Sequence, residues 1–481
     1  MTIATLTTAL LVRFAEIVGE AHALTRAEDQ AGYLREWRDL YVGRTPVVLR
    51  PGSTEEVSKI LALANEHEIG IVPQAGNTGL VGGQIPAMRG DEIVLSVSRL
   101  NNVRSVDADG GTMIVEAGMT LSEAQAVAEK AGRLFPLSLA SEGSAQIGGI
   151  LATNAGGTAV LSYGNARSFC LGLEAVLADG RVWHGLRTLK KDNTGYDLRD
   201  LLIGSEGTLG VITAAALKML PRPKEIATAI VAIESPEAAL KLFRIAEETA
   251  GASLTAFEFW ARRAMDFAVA HMPGTRDPLA IVHPWYALLE ISSNDSGGRA
   301  DAQLHALLMN ASDAGLIRDG ALAASMQQAR DFWGLRESFS EAQKGAGGSI
   351  KHDISVPIAR IPEFLERAAA VVEKVCPGAR PVPFGHFGDG NLHYNVSQPE
   401  GMEKAQYLGL WGAMSDAIHT LVTSMDGSIS AEHGIGQMKR DHLVRYKSPV
   451  EIEMMRAIKN AFDPKGILNP SKVLERRRPE T

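Results

Sequence analysis

Three glycine-rich runs constrain this chain more than any other feature. They read "PQAGNTGLVGG" (73–83), "PLSLASEGSAQIGGILATNAGG" (136–157) and "DNTGYDLRDLLIGSEGTLGVIT" (192–213), with strand-like segments between them. Glycine supplies 48 of the 481 residues, above the usual share of about 7%. Scattered glycine marks turns. Clustered glycine after a strand lets consecutive backbone N–H groups approach an anion closely. No run has G-x-G-x-x-G between a strand and a helix, and none has G-x-x-x-x-G-K-[ST]. On its own, the first run is either a structural loop or a phosphate cradle.

A chain of 481 residues predicts two or three domains. An apolar share of 45% and a net charge of −8 fit a globular protein without a general basic surface, which argues against nucleic acid as a partner. Cys170 and Cys376 are the only cysteines, so no disulfide framework or thiolate metal cluster is expected, and a reducing, cytoplasmic setting is. The opening "MTIATLTTALLVRFAEIVGE" is broken by Arg13, Glu16 and Glu20. It predicts an amphipathic helix, neither a spanning segment nor an export signal.

From "TPVVLRPGSTEEVSKILALANEHEIGIVPQAGNTG" the pattern predicts strand, helix, strand. Ser53 and Glu56 form a capping box and Gly70 stops the helix. A second βαβ-like run follows, with strands near 92–96, 105–107 and 113–116, a turn at Asp109-Gly110-Gly111 and a helix over 121–131. "PRPKE" (221–225) marks a boundary. Beyond it helices and strands mix as in an α+β domain, and the last stretch is helical.

"PFGHFGDGNLHYNV" (383–396) places His386 and His393 on either side of a glycine-rich turn. A hairpin folded there brings both imidazoles together across neighbouring strands. They are half of a metal site or a coincidence. "GSISAEHGIGQMKR" (427–440) adds Glu432 and, directly after it, His433. Two imidazoles and one carboxylate leave open positions on a divalent metal. Neighbouring side chains of an extended segment diverge, so Glu432 can face the metal while His433 faces a substrate.

Together the three glycine runs resemble the flavin domain of the vanillyl-alcohol-oxidase or p-cresol-methylhydroxylase type, over roughly residues 40–222. The resemblance implies an FAD diphosphate held at Pro73, Gly76, Asn77, Thr78 and Gly79 of the first run. Ser138, Gly143, Ser144, Gly148, Gly149, Thr153, Asn154 and Gly156 of the second, with Glu206, Gly207 and Ile212 of the third, would line the rest. Ala75 departs from the pattern, where relatives often carry glycine. These loops hold no His or Cys, so the FAD is expected to be non-covalent.

"GHFGDGNLHYNV", "SAEHGIG" and "FDPKGILNPSKVL" resemble the C-terminal signatures of FAD-dependent D-2-hydroxyacid dehydrogenases, a group that includes D-lactate and D-2-hydroxyglutarate dehydrogenases, with the latter nearer. The resemblance implies His386, His393 and Glu432 as ligands of a divalent metal, zinc for preference. His433 becomes the general base and Asn469 approaches the flavin. "WGLRESFSEAQKGAGGSIKHDISVP" (333–357) places Arg336 and Ser340 one turn apart on a helix, with Lys351 beyond. In the resembled enzymes an arginine, a hydroxyl residue and a lysine at this spacing hold a distal carboxylate, and Asn395 matches a further substrate contact. A buried arginine and lysine are costly without an anion, so a dicarboxylate explains them.

The expected fold is therefore α+β. A helical segment (1–40) precedes a two-subdomain FAD-binding domain of the p-cresol-methylhydroxylase type (41–222). An α+β substrate or cap domain carrying the hairpin (223–425) and a C-terminal segment returning to the flavin (426–481) complete it. The expected reaction oxidises a D-2-hydroxy acid to the 2-oxo acid, the metal lowering the hydroxyl pKa, the proton passing to His433 and the hydride to flavin N5. D-2-hydroxyglutarate is the first choice of substrate and D-malate the second. D-Lactate or glycolate dehydrogenation is the alternative, and a flavin-free metal hydrolase the remote one. An electron-transfer flavoprotein or quinone acceptor and a homodimer are also expected.

Overall fold

Ser53 shows how local signals set the first element. Its hydroxyl accepts from the Glu56 amide at 3.2 Å and opens the helix Thr54–His67. The Glu56 carboxylate accepts from Gly52 N instead of Ser53 N, so only half of the expected capping box forms. The helix ends at Glu68, whose φ is +55. Gly70 does not stop it but begins the strand Gly70–Gln74. A Cβ at 70 would lie 3.0 Å from Pro470 Cγ and 3.1 Å from Glu92 Cγ. Close approach of other chain segments, not helix termination, requires glycine there.

The structure is a computed structural model that describes residues 6–475. Contacts divide it into two units. The first holds the described residues up to Gly157, then Gly164–Pro221, and the described residues from His433 onward; the second holds Thr158–Tyr163 and Arg222–Glu432. The chain thus re-enters the first unit at His433, seven residues later than the expected 426. The N-terminal stretch is not separate either, because Ala23–Leu24 pairs with Val48–Leu49.

Among the described residues the first unit has a two-stranded sheet, Arg133–Leu134 with Leu220–Pro221, and two larger ones. One has four strands in the order Ala23–Leu24, Val48–Leu49, Glu92–Ser96, Gly70–Gln74, with its last three strands parallel. The other is antiparallel with five strands, ordered Val103–Asp107, Thr112–Glu116, Val211–Lys218, Cys170–Val176, Val182–Gly185. The expected turn at Asp109-Gly110-Gly111 joins Val103–Asp107 and Thr112–Glu116 as a hairpin, while Glu92–Ser96 belongs to the four-stranded sheet, so no second βαβ run forms. A connection of a few residues can join only antiparallel neighbours. Near the C-terminus, Asn469 N donates to Ile71 O and Ile71 N to Ile467 O. The "ILN" segment thereby extends the parallel sheet beside Gly70–Gln74.

Glu174 anchors the five-stranded sheet. Burial pushes its carboxyl up, but Arg104, Thr54 and Thr213 outweigh that and hold it at about 2, below the ordinary 4.5. A depressed carboxylate pKa gives stability that is full above the unfolded value and lost as pH falls through the folded one. Glu174→Gln is therefore expected to cost about 2 kcal/mol at pH 7. Urea denaturation should show the gap from wild type closing as pH falls from 4.5 towards 2.

The second unit is an antiparallel sheet of eight strands. Its order is Ile317–Leu322, Glu225–Ile233, Trp285–Ser293, Leu254–Ala261, Arg380–His386, Asn391–Ser397, Ser349–Ile350, with Asp353–Ser355 also paired to Asn391–Ser397. One face packs on Pro236–Ala250, Arg299–Asp313, Ile361–Val375 and Trp411–Thr423. The other packs on Arg262–His271 and Met326–Ala342. Among the described residues no helix is long and apolar enough to cross a membrane.

Candidate active site

In the first unit the three glycine runs converge. A Cβ on Gly76 would sit 1.8 Å from Ser144 O, one on Gly149 2.9 Å from the Ala75 methyl, and one on Gly207 3.1 Å from Pro73 Cγ. Gly149 thus makes the room that Ala75 takes up. Asn77, Asn154, Glu206 and Asn469 hold φ of +54, +50, +52 and +42. Non-glycine residues in the left-handed region cost energy and gather at functional sites. Gly143 and Ser144 are exposed, Thr78 is half-buried, and Gly148, Gly156 and Ile212 are buried. Ser138 O stands 2.1 Å from where a Gly157 Cβ would be.

Several expected flavin residues have their side chains committed within the protein. Asn77 Nδ2 donates to Gly32 O and Arg35 O, both at 2.9 Å. Thr153 Oγ1 donates to Gly149 O, and Asn154 Oδ1 accepts from Arg167 N. Glu206 Oε1 accepts from Ile435 N at 2.7 Å and Oε2 from Gly436 N at 2.8 Å. Burial raises the Glu206 carboxyl despite those two donors and Lys439. Its carboxylate therefore secures the loop that follows His433. Asn469 Nδ2 donates to Gly83 O and Glu206 O, while its buried Oδ1 accepts nothing among the described residues. A glycine-walled cradle with one unanswered amide oxygen fits a flavin dinucleotide, which offers ring N–H donors and a diphosphate.

Gly76→Ala is expected to weaken FAD binding. An overpacked methyl costs about 1–3 kcal/mol, which is about 5- to 150-fold in affinity. Flavin absorbance of the purified variant during dialysis checks it.

The hairpin lies in the second unit. Arg380–His386 pairs with Asn391–Ser397 in the register Phe384↔His393 and His386↔Asn391. Gly390 turns the chain with φ +83, and a Cβ there would meet Val356 O at 2.4 Å. The two imidazoles stand edge to face, 5.6 Å apart. Ligand atoms of His386, His393 and Glu432 all fall within 4.8 Å of one another, with His386 Nε2 3.6 Å from Glu432 Oε1. This donor set fits a divalent metal.

Two carboxylates that the sequence reading missed support it. Glu258 Oε1 accepts from His386 Nδ1 at 2.7 Å. Asp353 Oδ2 accepts from Glu432 N and Oδ1 from Asn391 Nδ2, both at 3.0 Å. Burial works against the His386 imidazolium, but Glu258 raises it to about 9. Burial lifts Glu432 to about 7, with His386 pulling it down and Asp353 and Asp389 pushing it up.

The expected substrate residues share this unit. Arg336 lies on the helix Met326–Ala342 and is 5% exposed. Its Nε donates to Glu258 Oε2 at 2.8 Å, so the buried guanidinium already has an internal anion. The argument that its burial alone demands a substrate carboxylate does not hold. Ser340, one turn on, accepts from Lys351 Nζ at both O and Oγ, each at 2.9 Å. Asn395 is buried opposite Val382 and shares the strand face of His393.

His433 begins the returning chain of the first unit. Glu432 and His433 sit in a bend, not the expected extended segment. Gly434 at φ +80 and Gly436 at φ +51 break any strand.

Solved structures define the fold class. p-Cresol methylhydroxylase with substrate bound matches at TM-score 0.76 with 14% identity, covering 97% of this chain and 96% of that one. An alkyldihydroxyacetonephosphate synthase matches at 0.74 with 17% identity, covering 98% and 86%. The fold is the FAD-binding type that these enzymes share. Residues 222–473 match the C-terminal domain of FAD linked oxidases, and residues 45–185 an FAD binding domain. The chain belongs to the FAD-linked oxidase family and is an FAD-dependent oxidoreductase, which removes the flavin-free hydrolase alternative. It is 38% identical to the mitochondrial D-2-hydroxyglutarate dehydrogenase of Arabidopsis thaliana, covering 96% of this chain and 80% of that one. It is 40% identical to the mitochondrial enzyme of that name from Bos taurus, covering 91% and 78%. With a D-2-hydroxyglutarate–pyruvate transhydrogenase of Saccharomyces cerevisiae the identity is 36%, covering 93% and 90%.

Proposed function

We propose that the protein oxidises D-2-hydroxyglutarate to 2-oxoglutarate with the help of a divalent metal. The observation that carries this reading is the convergence of His386, His393 and Glu432 in the unit that also bears Arg336, Ser340 and Lys351. The names of the relatives point to the same substrate. When bound, non-covalent FAD supplies the hydride acceptor, and a metal such as zinc supplies a Lewis acid for the hydroxyl and its neighbouring carboxylate.

The chain's own residues do the rest. His386, His393 and Glu432 hold the metal, and His433 accepts the hydroxyl proton, a task suited to an imidazole at neutral pH. Lys351, braced by Ser340, answers the distal carboxylate together with Arg336 and Asn395. Asn469 offers its free Oδ1 to the flavin. Electrons leave to an electron-transfer flavoprotein or a quinone. The two free, buried cysteines suit a reducing compartment such as the cytosol, and a homodimer remains part of the proposal.

The test is anaerobic bleaching of the flavin by D-2-hydroxyglutarate, D-malate, D-lactate and the L-enantiomers, before and after EDTA. Bleaching by D-dicarboxylates alone, lost with EDTA and restored by zinc, is expected. Lys351→Met should raise KM for D-2-hydroxyglutarate about 10- to 100-fold, the worth of a charged hydrogen bond. Turnover of D-lactate, however slow, should not change. Fast bleaching by D-lactate in the wild type would transfer the assignment to a monocarboxylate enzyme.

A further inference from the structure

Glu258 lies in "LTAFEFWA", the strand Leu254–Ala261, between the buried Phe257 and Phe259. Its side chain is 1% exposed. A carboxylate in that setting costs several kcal/mol unless its oxygens are answered by donors and charge. Both are answered, and by different elements. Oε1 takes His386 Nδ1 at 2.7 Å, and Oε2 takes Arg336 Nε at 2.8 Å.

We propose that Glu258 is a positioning residue that fixes the metal-ligating face of His386 and ties it to Arg336. The inference rests on the metal reading above and extends it to a group that ligates nothing itself. The strand ladder pairs Glu258 directly with His386, so the contact is set by backbone register and not by a flexible reach. Holding the proton on Nδ1 leaves Nε2 as the lone-pair nitrogen, and Nε2 is the atom facing Glu432 Oε1 at 3.6 Å. A carboxylate behind a ligating imidazole fixes its tautomer and ring orientation and raises its basicity; losing such a partner typically costs about 10- to 100-fold in metal affinity. The second oxygen gives the pair a further consequence. Arg336 cannot swing away from Glu258 without leaving a buried carboxylate half-answered, so the helix Met326–Ala342 and the metal ligand are held in one arrangement.

A purely structural ion pair between strand and helix would look similar, and zinc affinity separates the two. Zinc dissociation constants are measured by chelator competition on the FAD-loaded protein, for wild type, Glu258→Gln, Arg336→Met and His393→Ala. Expected are one tight zinc in the wild type, none in His393→Ala, and a constant about 10- to 100-fold weaker in Glu258→Gln. Arg336→Met keeps the Glu258–His386 contact, so its zinc constant should weaken by less than that of Glu258→Gln. Equal affinity in Glu258→Gln and wild type would overturn the role of Glu258 and leave the metal site standing. A loss in Arg336→Met as large as in Glu258→Gln would overturn it too. A wild type that takes up no zinc, or a His393→Ala that takes up as much, would sink the metal reading itself. Should Glu258→Gln fail to fold, Glu258→Gln/Arg336→Met removes both buried charges together, a change such pairs often tolerate. The same weakening is expected there, and wild-type affinity would overturn the proposal.

Discussion

Replacing His433 with asparagine is expected to slow anaerobic flavin reduction by D-2-hydroxyglutarate by about 10²–10⁴-fold, the usual worth of a placed general base. Flavin absorbance and zinc content should stay at wild-type values, because neither the glycine cradle nor the His386, His393 and Glu432 set loses a group. Asparagine keeps a polar side chain of similar reach but cannot take a proton. The pH dependence gives the sharper readout. In the wild type, kcat/KM should rise with pH as an imidazole loses its proton and then level off, since only the neutral ring can accept. In the variant that rising limb should vanish. A loss under about tenfold with the limb intact would assign the proton to another group. The loop after His433 is tied by its Ile435 and Gly436 amides to the buried Glu206, which gives the ring a fixed base from which to act.

The grouping of His386, His393 and Glu432 was legible because all three sit in short, composition-rich signatures, and the structure brings their ligand atoms within 4.8 Å. A glycine turn with a histidine on each side fixes strand register, and register fixes which side chains meet. The pairing Phe384↔His393 follows from that turn. Glu258 was not legible in the same way. It lies 128 residues from His386 in sequence, and only the order of strands in the sheet makes them neighbours. A weaker signal was present, since a lone glutamate in the apolar run "LTAFEFWA" breaks the local pattern, as such residues often do at functional sites. Glu290 in "WYALLEISS" carries the same mark. It is half-buried and receives Trp333 Nε1 at 2.7 Å, one helical turn from Arg336. Arg336 was read correctly as a buried helix residue, yet its internal partner could not be foreseen. The turn at Asp109-Gly110-Gly111 was legible, but not that Glu92–Ser96 joins a different sheet from the hairpin that follows it, because alternation marks strands without naming their partners.

His393→Ala is expected to remove the metal and most of the activity together. Among the proposed ligands His393 is the informative one to delete. His386 is held by Glu258, so its loss would also leave a buried carboxylate half-answered, while Glu432 is held through its own amide by Asp353. Taking away the His393 imidazole leaves both of those supports in place and leaves two donors, too few to hold a divalent ion at ordinary concentrations. Lewis-acid assistance is worth several kcal/mol of transition-state stabilisation, so flavin reduction should fall by about 10²–10⁴-fold. The fall should be as large for any 2-hydroxy acid, since the hydroxyl and adjacent carboxylate are common to all of them. Lys351→Met, by contrast, should penalise only substrates with a distal carboxylate. Bound FAD should be unaffected, because the substitution leaves every residue of the glycine cradle in place. Elemental analysis, the flavin spectrum and rates with D-2-hydroxyglutarate and D-lactate measure all three points on one preparation. Full activity without metal would mean that the two imidazoles serve the fold and that His433 deprotonates the alcohol unaided. Zinc retained in His393→Ala at the wild-type level would overturn the His386, His393 and Glu432 ligand set, whatever the activity.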